Sequence, residues 1–225
     1  SYANNPSAAA NVTLTGIGTS GYGGVETGLT SLNAFLNVDS LIGTSAGNDF
    51  IGGLDVASTW VVTDSAGTAT GSYTATGGAT LALASFELLS GGSAADTFNV
   101  SSTPMASLSG QGGDDTFNFA TGAVLAGTIF GGADNDTLSF AASSTDVTVT
   151  LTDVTAVDGG FTGTTGLATG GFQSIDTVAG GSGDDTLNGR ASAAGTWTID
   201  TTSTYASGGE TLQFSGIDNL TGSSA

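Results

Sequence analysis

The segment GGSAADTFNV (residues 91–100) returns as GQGGDDTFNF (110–119) and GGADNDTLSF (131–140). Each copy opens on glycine, carries an aspartate at its sixth position and continues with polar and apolar residues in alternation. Glycine permits the backbone conformations of tight turns, and alternation is typical of a strand with one buried face. The segment therefore predicts a turn followed by a strand, three times in succession.

The aspartate before the strand recurs at five places, with intervals of 47, 19, 21 and 49 residues: Asp49, Asp96, Asp115, Asp136 and Asp185. The short intervals are about 20 residues, and each long one divides into two of about 24, which is the period of a solenoid. We expect an all-β fold, a right-handed parallel β-solenoid of roughly ten coils with about 20–24 residues in each. The inward residues of these strands would form the core: Phe98, Val100, Phe117, Phe119, Leu138, Phe140 and Leu187.

A second pattern indicates a longer repeat. An apolar residue, an acid, a spacer, an apolar residue and a glycine keep the same offsets around Asp39, Glu87, Asp176 and Asp218, for which we expect a structural role. Phe35, Asp39 and Trp60 match Phe172, Asp176 and Trp197 at one common offset along the sequence. The division predicted is the end of one repeat (1–32), a complete super-repeat (33–169) and the start of the next (170–225), all in one continuous solenoid.

The composition of the chain argues against several classes of function. Arg190 is the only basic residue against 20 acidic ones, so the formal charge is −19. Such a chain repels nucleic acids and anionic lipids and attracts divalent cations. Cysteine and histidine are absent, which removes disulfides, thiolate metal sites and the usual proton shuttle near neutral pH. No apolar run approaches a membrane span. We therefore expect no enzymatic activity, no nucleic-acid partner and no membrane insertion.

GGSGDDTLNG (180–189) resembles the calcium-binding nonapeptide of the hemolysin-type (RTX) family. Its Gly180, Gly181, Gly183, Asp185 and Leu187 occupy all five positions of the family pattern, and the other copies each depart from it at one glycine. The resemblance implies calcium bound between stacked turns of a β-roll. Because the motif occurs once in each coil, we expect calcium on one edge at most. The remaining coils resemble those of large bacterial surface adhesins in general character.

The acids of these turns admit two interpretations. Asp hydrogen-bonds its own backbone in ordinary turns, which requires no metal. Carboxylates stacked about 4.8 Å apart repel by roughly 3–4 kcal/mol at an effective dielectric of 20, however, and calcium would relieve that repulsion. The calcium ligands predicted on this second interpretation are Asp96, Asp114, Asp115, Asp134, Asp136, Asp184 and Asp185.

The function that we expect is an extracellular or cell-surface structural and adhesive module, secreted as part of a large repetitive bacterial protein. Two open solenoid ends allow head-to-tail association into filaments, and surface glycans or a host or biofilm matrix are possible partners. Two alternatives stay open. One is a carbohydrate-active β-helix enzyme, using a carboxylate pair such as Asp114 and Asp115. The other is a calcium-triggered secretion domain of a larger toxin or hydrolase.

Overall fold

The computed structural model describes residues 8–27, 33–44, 47–65 and 68–222. These residues form strands joined by turns, with no helix among them, so the all-β prediction is confirmed for this part of the chain. In the same ranges no helix has the length and apolarity needed to cross a membrane.

Over the described ranges, twenty-three strands form two large sheets. Sheet A contains twelve strands: β1 (Asn11–Ile17), β2 (Tyr22–Glu26), β3 (Asn33–Val38), β5 (Phe50–Gly52), β9 (Leu88–Ser90), β11 (Ser107–Gly112), β13 (Ile129–Ala133), β15 (Thr148–Val154), β16 (Phe161–Thr165), β17 (Ala168–Ile175), β19 (Thr186–Asn188) and β23 (Asn219–Thr221). Sheet B contains eleven: β4 (Ser40–Ile42), β6 (Ser58–Ser65), β7 (Thr68–Ala75), β8 (Leu81–Ala84), β10 (Asp96–Val100), β12 (Thr116–Phe119), β14 (Thr137–Ser139), β18 (Thr177–Ala179), β20 (Thr196–Thr198), β21 (Thr204–Ser207) and β22 (Glu210–Ser215).

The chain crosses from one sheet to the other after every strand or strand group. From β9 to β14 the chain makes one strand in sheet A, then one in sheet B, and so on. Successive strands of the same sheet pair in parallel, and in sheet B the pairing has no register shift. Phe98 pairs there with Phe117, its counterpart in the next motif copy, and Phe117 pairs with Leu138. The short interval between motif copies is therefore one passage through both sheets.

The long intervals have another explanation than the one the spacing suggested. Four times within the described residues, the chain makes three antiparallel strands in one sheet before it crosses: β1–β3, β6–β8, β15–β17 and β20–β22. The prediction that each long interval holds two coils is wrong, because these antiparallel strands occupy the extra length. The sheets are mostly, but not purely, parallel.

The core lies between the sheets. Alternate residues of the single-passage strands are buried, as in Asp96–Val100, and all seven predicted core residues are fully or almost fully buried. Phe98 stacks on Phe117 with ring centroids 5.1 Å apart. Tyr22 of sheet A and Tyr73 of sheet B lie 5.3 Å apart, so side chains of both sheets meet in one apolar cluster. Burying each such ring contributes about 2 kcal/mol.

The order of strands repeats within the chain. Strands β15–β23 follow one another through the two sheets as β1–β9 do. An aromatic group accompanies this repeat, with Tyr73 4.5 Å from Trp60 in the first copy and Tyr205 4.4 Å from Trp197 in the second. The predicted super-repeat limits stay a prediction, because a periodic chain can be divided at any point of its period. Residue 32, the predicted end of the first unit, lies outside the described residues.

Candidate functional site

The motif aspartates of sheet B form a chain of hydrogen bonds across the strand starts. The backbone N–H of Asp96 donates to Oδ1 of Asp115 at 2.7 Å, and that of Asp115 donates to Oδ1 of Asp136 at 2.9 Å. The N–H of Asp136 donates in turn to Oδ2 of Asp176 at 3.0 Å. Each accepting carboxylate thus satisfies a backbone donor of the neighbouring strand. We call Asp96, Asp115, Asp136 and Asp176 the sheet B row.

Sheet A carries the same arrangement. The N–H of Asp49 donates to Glu87 at 2.9 Å, and that of Asp185 donates to Asp218 at 2.9 Å. Oδ1 of Asp185 accepts the N–H of Val147 at 2.8 Å. Motif turns therefore lie along both sheets, because the antiparallel strand groups shift the motif from one sheet to the other. That calcium binds on one edge at most stays a prediction. The structural role expected for Glu87, Asp176 and Asp218 is confirmed.

The motif aspartates differ in whether their second carboxylate oxygen, Oδ2, accepts a hydrogen bond. Oδ2 of Asp96 accepts the N–H of Gly92 at 2.8 Å, and Oδ2 of Asp185 accepts that of Gly181 at 2.6 Å. Oδ2 of Asp115 and Oδ2 of Asp136 are buried and have no hydrogen-bond partner within the described ranges.

The cause lies in the residue after the first glycine of each motif. Gly92 and Gly181 lie outside the strands, and their N–H groups donate to the carboxylates of Asp96 and Asp185. Gln111 and Gly132 lie inside β11 and β13 and pair with each other across the sheet. Their N–H groups do not reach Asp115 and Asp136, which leaves each of these acids with one unsatisfied oxygen.

The first glycine of each motif is required by the carboxylate itself. A methyl group on Gly110 would collide with Oδ2 of Asp115 and lie 2.5 Å from the carbonyl oxygen of Gly131. Gly131 is confined in the same way by Asp136 and by the carbonyl of Ser174. The repeated glycine therefore makes room for a buried carboxylate beside a carbonyl oxygen.

Burial controls the charge of these acids. Burial raises the pKa of Asp115 to about 8, and the nearby carboxylates of Asp136 and Asp96 contribute to the rise. Burial, with a contribution from Asp176, raises the pKa of Asp136 to about 7. Burial also raises the pKa of three acids in equivalent positions: Asp96, Asp176 and Glu87. A proton on Asp115 near neutral pH would relieve the same carboxylate repulsion that bound calcium would relieve.

The remaining predicted ligands are exposed. Asp114 accepts the N–H of Asn135 at 3.0 Å, and Asp134 accepts the N–H of Gly113 at 3.1 Å, so the two turns are joined in both directions. Each hydrogen bond uses one oxygen of its carboxylate. Asp184 is also exposed, and its own N–H donates to Asp146 at 2.9 Å.

These contacts decide how each acid fits calcium, which takes six to eight oxygens. Asp96 and Asp185 fit poorly, because N–H or hydroxyl donors already occupy both oxygens of each. Asp114 and Asp134 fit better, because each retains an exposed oxygen. Over the described ranges no group of three or more acids that could hold a metal ion is found, so backbone carbonyls and water would have to supply most ligands.

Asp114 and Asp115, the carboxylate pair that a carbohydrate-active enzyme would use, do not share a cleft. Asp114 is exposed on the turn, whereas Asp115 is fully buried and its carboxylate accepts the backbone N–H of Asp96 on the preceding sheet B strand, β10. Adjacent positions in a strand start point to opposite sides, so the two carboxylates have different surroundings.

Three further residues hold the motif turns and were not predicted from the sequence. Ser58 donates its hydroxyl to Oδ1 of Asp96 at 2.6 Å. Asp55 and Asp146 accept the N–H groups of Ser93 and Asp184, each 38 residues further along. That shared separation is the signal by which they could have been found.

Comparison with known proteins finds no matching family model, no matching curated protein and no matching solved structure. The likeness to hemolysin-type repeats therefore rests on the turn residues alone.

Proposed function

We propose that the chain is an extracellular structural and adhesive module, built as a right-handed parallel β-solenoid in which each motif copy opens a new strand. The observation that carries the proposal is the set of hydrogen bonds that the motif acids accept. Asp96, Asp115 and Asp136 each accept hydrogen bonds from a neighbouring strand, so the repeated chemistry of the sequence serves to hold successive strands together.

The outer face of sheet B supports the adhesive part of the proposal. Four threonines lie in register on successive strands at Thr97, Thr116, Thr137 and Thr177. Beside them, the side-chain amide of Asn118 donates to Asn99 at 3.1 Å. This face presents neutral hydroxyl and amide groups on a chain of formal charge −19, which suits uncharged glycans of a cell surface or biofilm matrix.

Calcium is part of the proposal at the exposed turns. Asp114 and Asp134 project from neighbouring strand starts and keep unoccupied oxygens, and glycine-rich turns expose carbonyls that can complete the coordination. Bound calcium would supply positive charge that the described surface lacks, since the guanidinium of Arg190 is paired with Asp153 at 2.7 Å.

Engineered disulfides test the solenoid path, because the natural chain contains no cysteine. Thr97→Cys with Thr116→Cys joins paired residues of neighbouring strands. Neighbouring strands lie about 4.8 Å apart, which is within the Cα separation that a disulfide spans. Thr97→Cys with Thr137→Cys is the matched control, two strands apart. We expect rapid oxidation of the first pair only. Equal oxidation of both pairs, or of neither, would overturn the coil arrangement.

Binding to an immobilised neutral polysaccharide tests adhesion. We expect Thr97→Asp with Thr137→Asp to weaken binding at least tenfold. Thr148→Asp with Thr152→Asp adds the same charge to the outer face of sheet A and should leave binding unchanged. Equal losses in both variants would show that sheet B is not the adhesive face.

A further inference from the structure

The outer face of sheet A holds a shallow groove over its interior strands. A hollow of about 180 Å³ opens there across β5, β9, β11 and β13, which lie between β1 and β17 in the sheet. Phe50 and Leu88 border the hollow on one side, and Phe130 borders it on the other. The small side chains of Ser107 and Ser109 lie between them on β11. Leu88 and Phe130 are 38% and 40% exposed, so the groove presents apolar surface to solvent.

A second hollow, of about 330 Å³, continues the groove toward the motif turns. The two hollows share Phe50, Ser90 and Gln111 in their linings. The ring of Phe50 lies over Gly52, where a methyl group would come within 3.2 Å of the ring Cε1. The larger hollow alone reaches the volume of about 300–1,000 Å³ that is usual for small-molecule sites. The groove is therefore large enough for a small organic ligand.

Two residues that shape the groove depart from the repeat of the sequence. The residue before the first motif glycine is Ser90 in β9 and Ser109 in β11, but it is Phe130 in β13. The second residue of the motif is glycine in the copies on either side, but it is Gln111 in the copy between them. Phe130 pairs with Ser109, and Gln111 follows Ser109 by two residues on the same strand. Both departures from the repeat therefore meet in one place.

Gln111 occupies its place with a strained backbone. Its φ is 80°, in the left-handed region that glycine adopts freely and that a glutamine rarely adopts. Its side-chain amide donates to the hydroxyl of Ser109 at 2.9 Å, which holds the amide beside the groove. An amide has two N–H donors and an acceptor oxygen, so this bond leaves capacity for a ligand. A strained residue that interrupts a repeat points to a function at that place.

The chemistry of the lining fits a neutral sugar. The hydroxyl and amide groups of Ser107, Ser109 and Gln111 can bind sugar hydroxyls. The phenyl rings of Phe50 and Phe130 offer apolar surface for the C–H groups of a sugar ring. The described lining of the smaller hollow contains neither an acid nor a base, although the chain carries 20 acids. The formal charge of −19 would repel an anionic sugar, which favours an uncharged one.

We propose that this groove binds a neutral saccharide of one or two rings, with a ring against Phe130 and its hydroxyl groups on Gln111. The site lies on the opposite sheet from the threonine face proposed for adhesion, and it does not rest on that proposal. The second copy of the strand order carries Thr186 where the first carries Phe50, each directly after the motif aspartate. The apolar border of the groove is therefore a property of the first copy and not of the repeat.

Nuclear magnetic resonance titration of the isotope-labelled chain with maltose, cellobiose and lactose tests the site. We expect at least one of these neutral disaccharides to shift the side-chain amide signals of Gln111. Phe130→Ser, which restores the serine of the neighbouring strands, should weaken binding at least tenfold. Val157→Ser, at an apolar side chain that is 88% exposed between β15 and β16, should leave binding unchanged. Binding of none of the three sugars, or equal affinity of the two variants, would overturn the proposal.

Gln111→Gly separates binding from folding. Glycine adopts the positive φ without strain, so we expect the melting temperature to hold or rise while disaccharide binding weakens at least fivefold. Unchanged binding in this variant would contradict the role of Gln111. Thr97→Asp with Thr137→Asp, on sheet B, should not affect disaccharide binding, and a loss there would place the sugar on sheet B and overturn the inference. If the groove binds disaccharide while adhesion through sheet B fails, this inference stands and only the adhesive proposal falls.

Discussion

The backbone N–H of Asp115 donates a 2.9 Å hydrogen bond to the carboxylate of Asp136, which begins the next copy of the motif strand in sheet B. Equivalent bonds recur in both sheets, and they explain why the motif carries an acid at this position. Each acid satisfies a backbone donor that the turn before a strand would otherwise leave unpaired. Loss of such an acceptor costs about 1–3 kcal/mol.

Gly110→Ala should lower the free energy of unfolding by roughly 2–3 kcal/mol, because the new methyl group collides with the Asp115 carboxylate and crowds the Gly131 carbonyl. Gly166→Ala is the control, since nothing lies near the position its methyl group would take. Urea denaturation followed by circular dichroism measures both. Similar stability of the two variants would mean that Asp115 is not seated over Gly110.

Calcium should raise the melting temperature by several degrees relative to EGTA, because an ion that binds only the folded chain stabilises it. Magnesium at the same concentration controls for screening of the negative charge. Asp114→Asn with Asp134→Asn should remove most of the difference between the two ions. An unchanged melting temperature in calcium would exclude it as a structural ligand.

Stability in EGTA should fall as the pH rises from about 4 to about 8. The folded chain retains protons on Asp136 and Asp115 up to pKa values of about 7 and about 8, whereas the unfolded chain releases them near pH 4. The stabilisation is therefore complete below pH 4 and lost above pH 8. We expect the melting temperature to drop by on the order of 5 °C between pH 5.5 and 8.5. A constant or rising melting temperature would contradict protonated acids in the core.

The alternation of the sequence was sufficient to predict the strands and the core around Phe98 and Phe117. It could not reveal the antiparallel groups such as β6–β8, because a strand next to a parallel or an antiparallel neighbour alternates in the same way. The alternation could not predict the hydrogen-bond partners of the acids either. The donor to Asp115 is the N–H of Asp96, and only the register of two strands brings these groups together.

The difference between Asp115 and Asp185 depends on a still finer feature, namely whether the residue after the first glycine lies in a strand or in a turn. Gln111 continues β11, while Gly181 turns its N–H toward Asp185. Both motifs read almost alike in the sequence, GQGGDD and GGSGDD. Local pattern therefore identified the acids, and the sheet determines what each one does.

Two single substitutions test the account most directly at pH 8 in EGTA. Asp115→Asn removes the charge of a buried carboxylate whose Oδ2 has no hydrogen-bond partner among the described residues, so the melting temperature should rise. Asp185→Asn removes the same charge but places an amide N–H against the N–H groups of Gly181 or Val147, so the melting temperature should fall. Opposite signs are the predicted result; shifts of the same sign and size would contradict the arrangement of the motif aspartates described above.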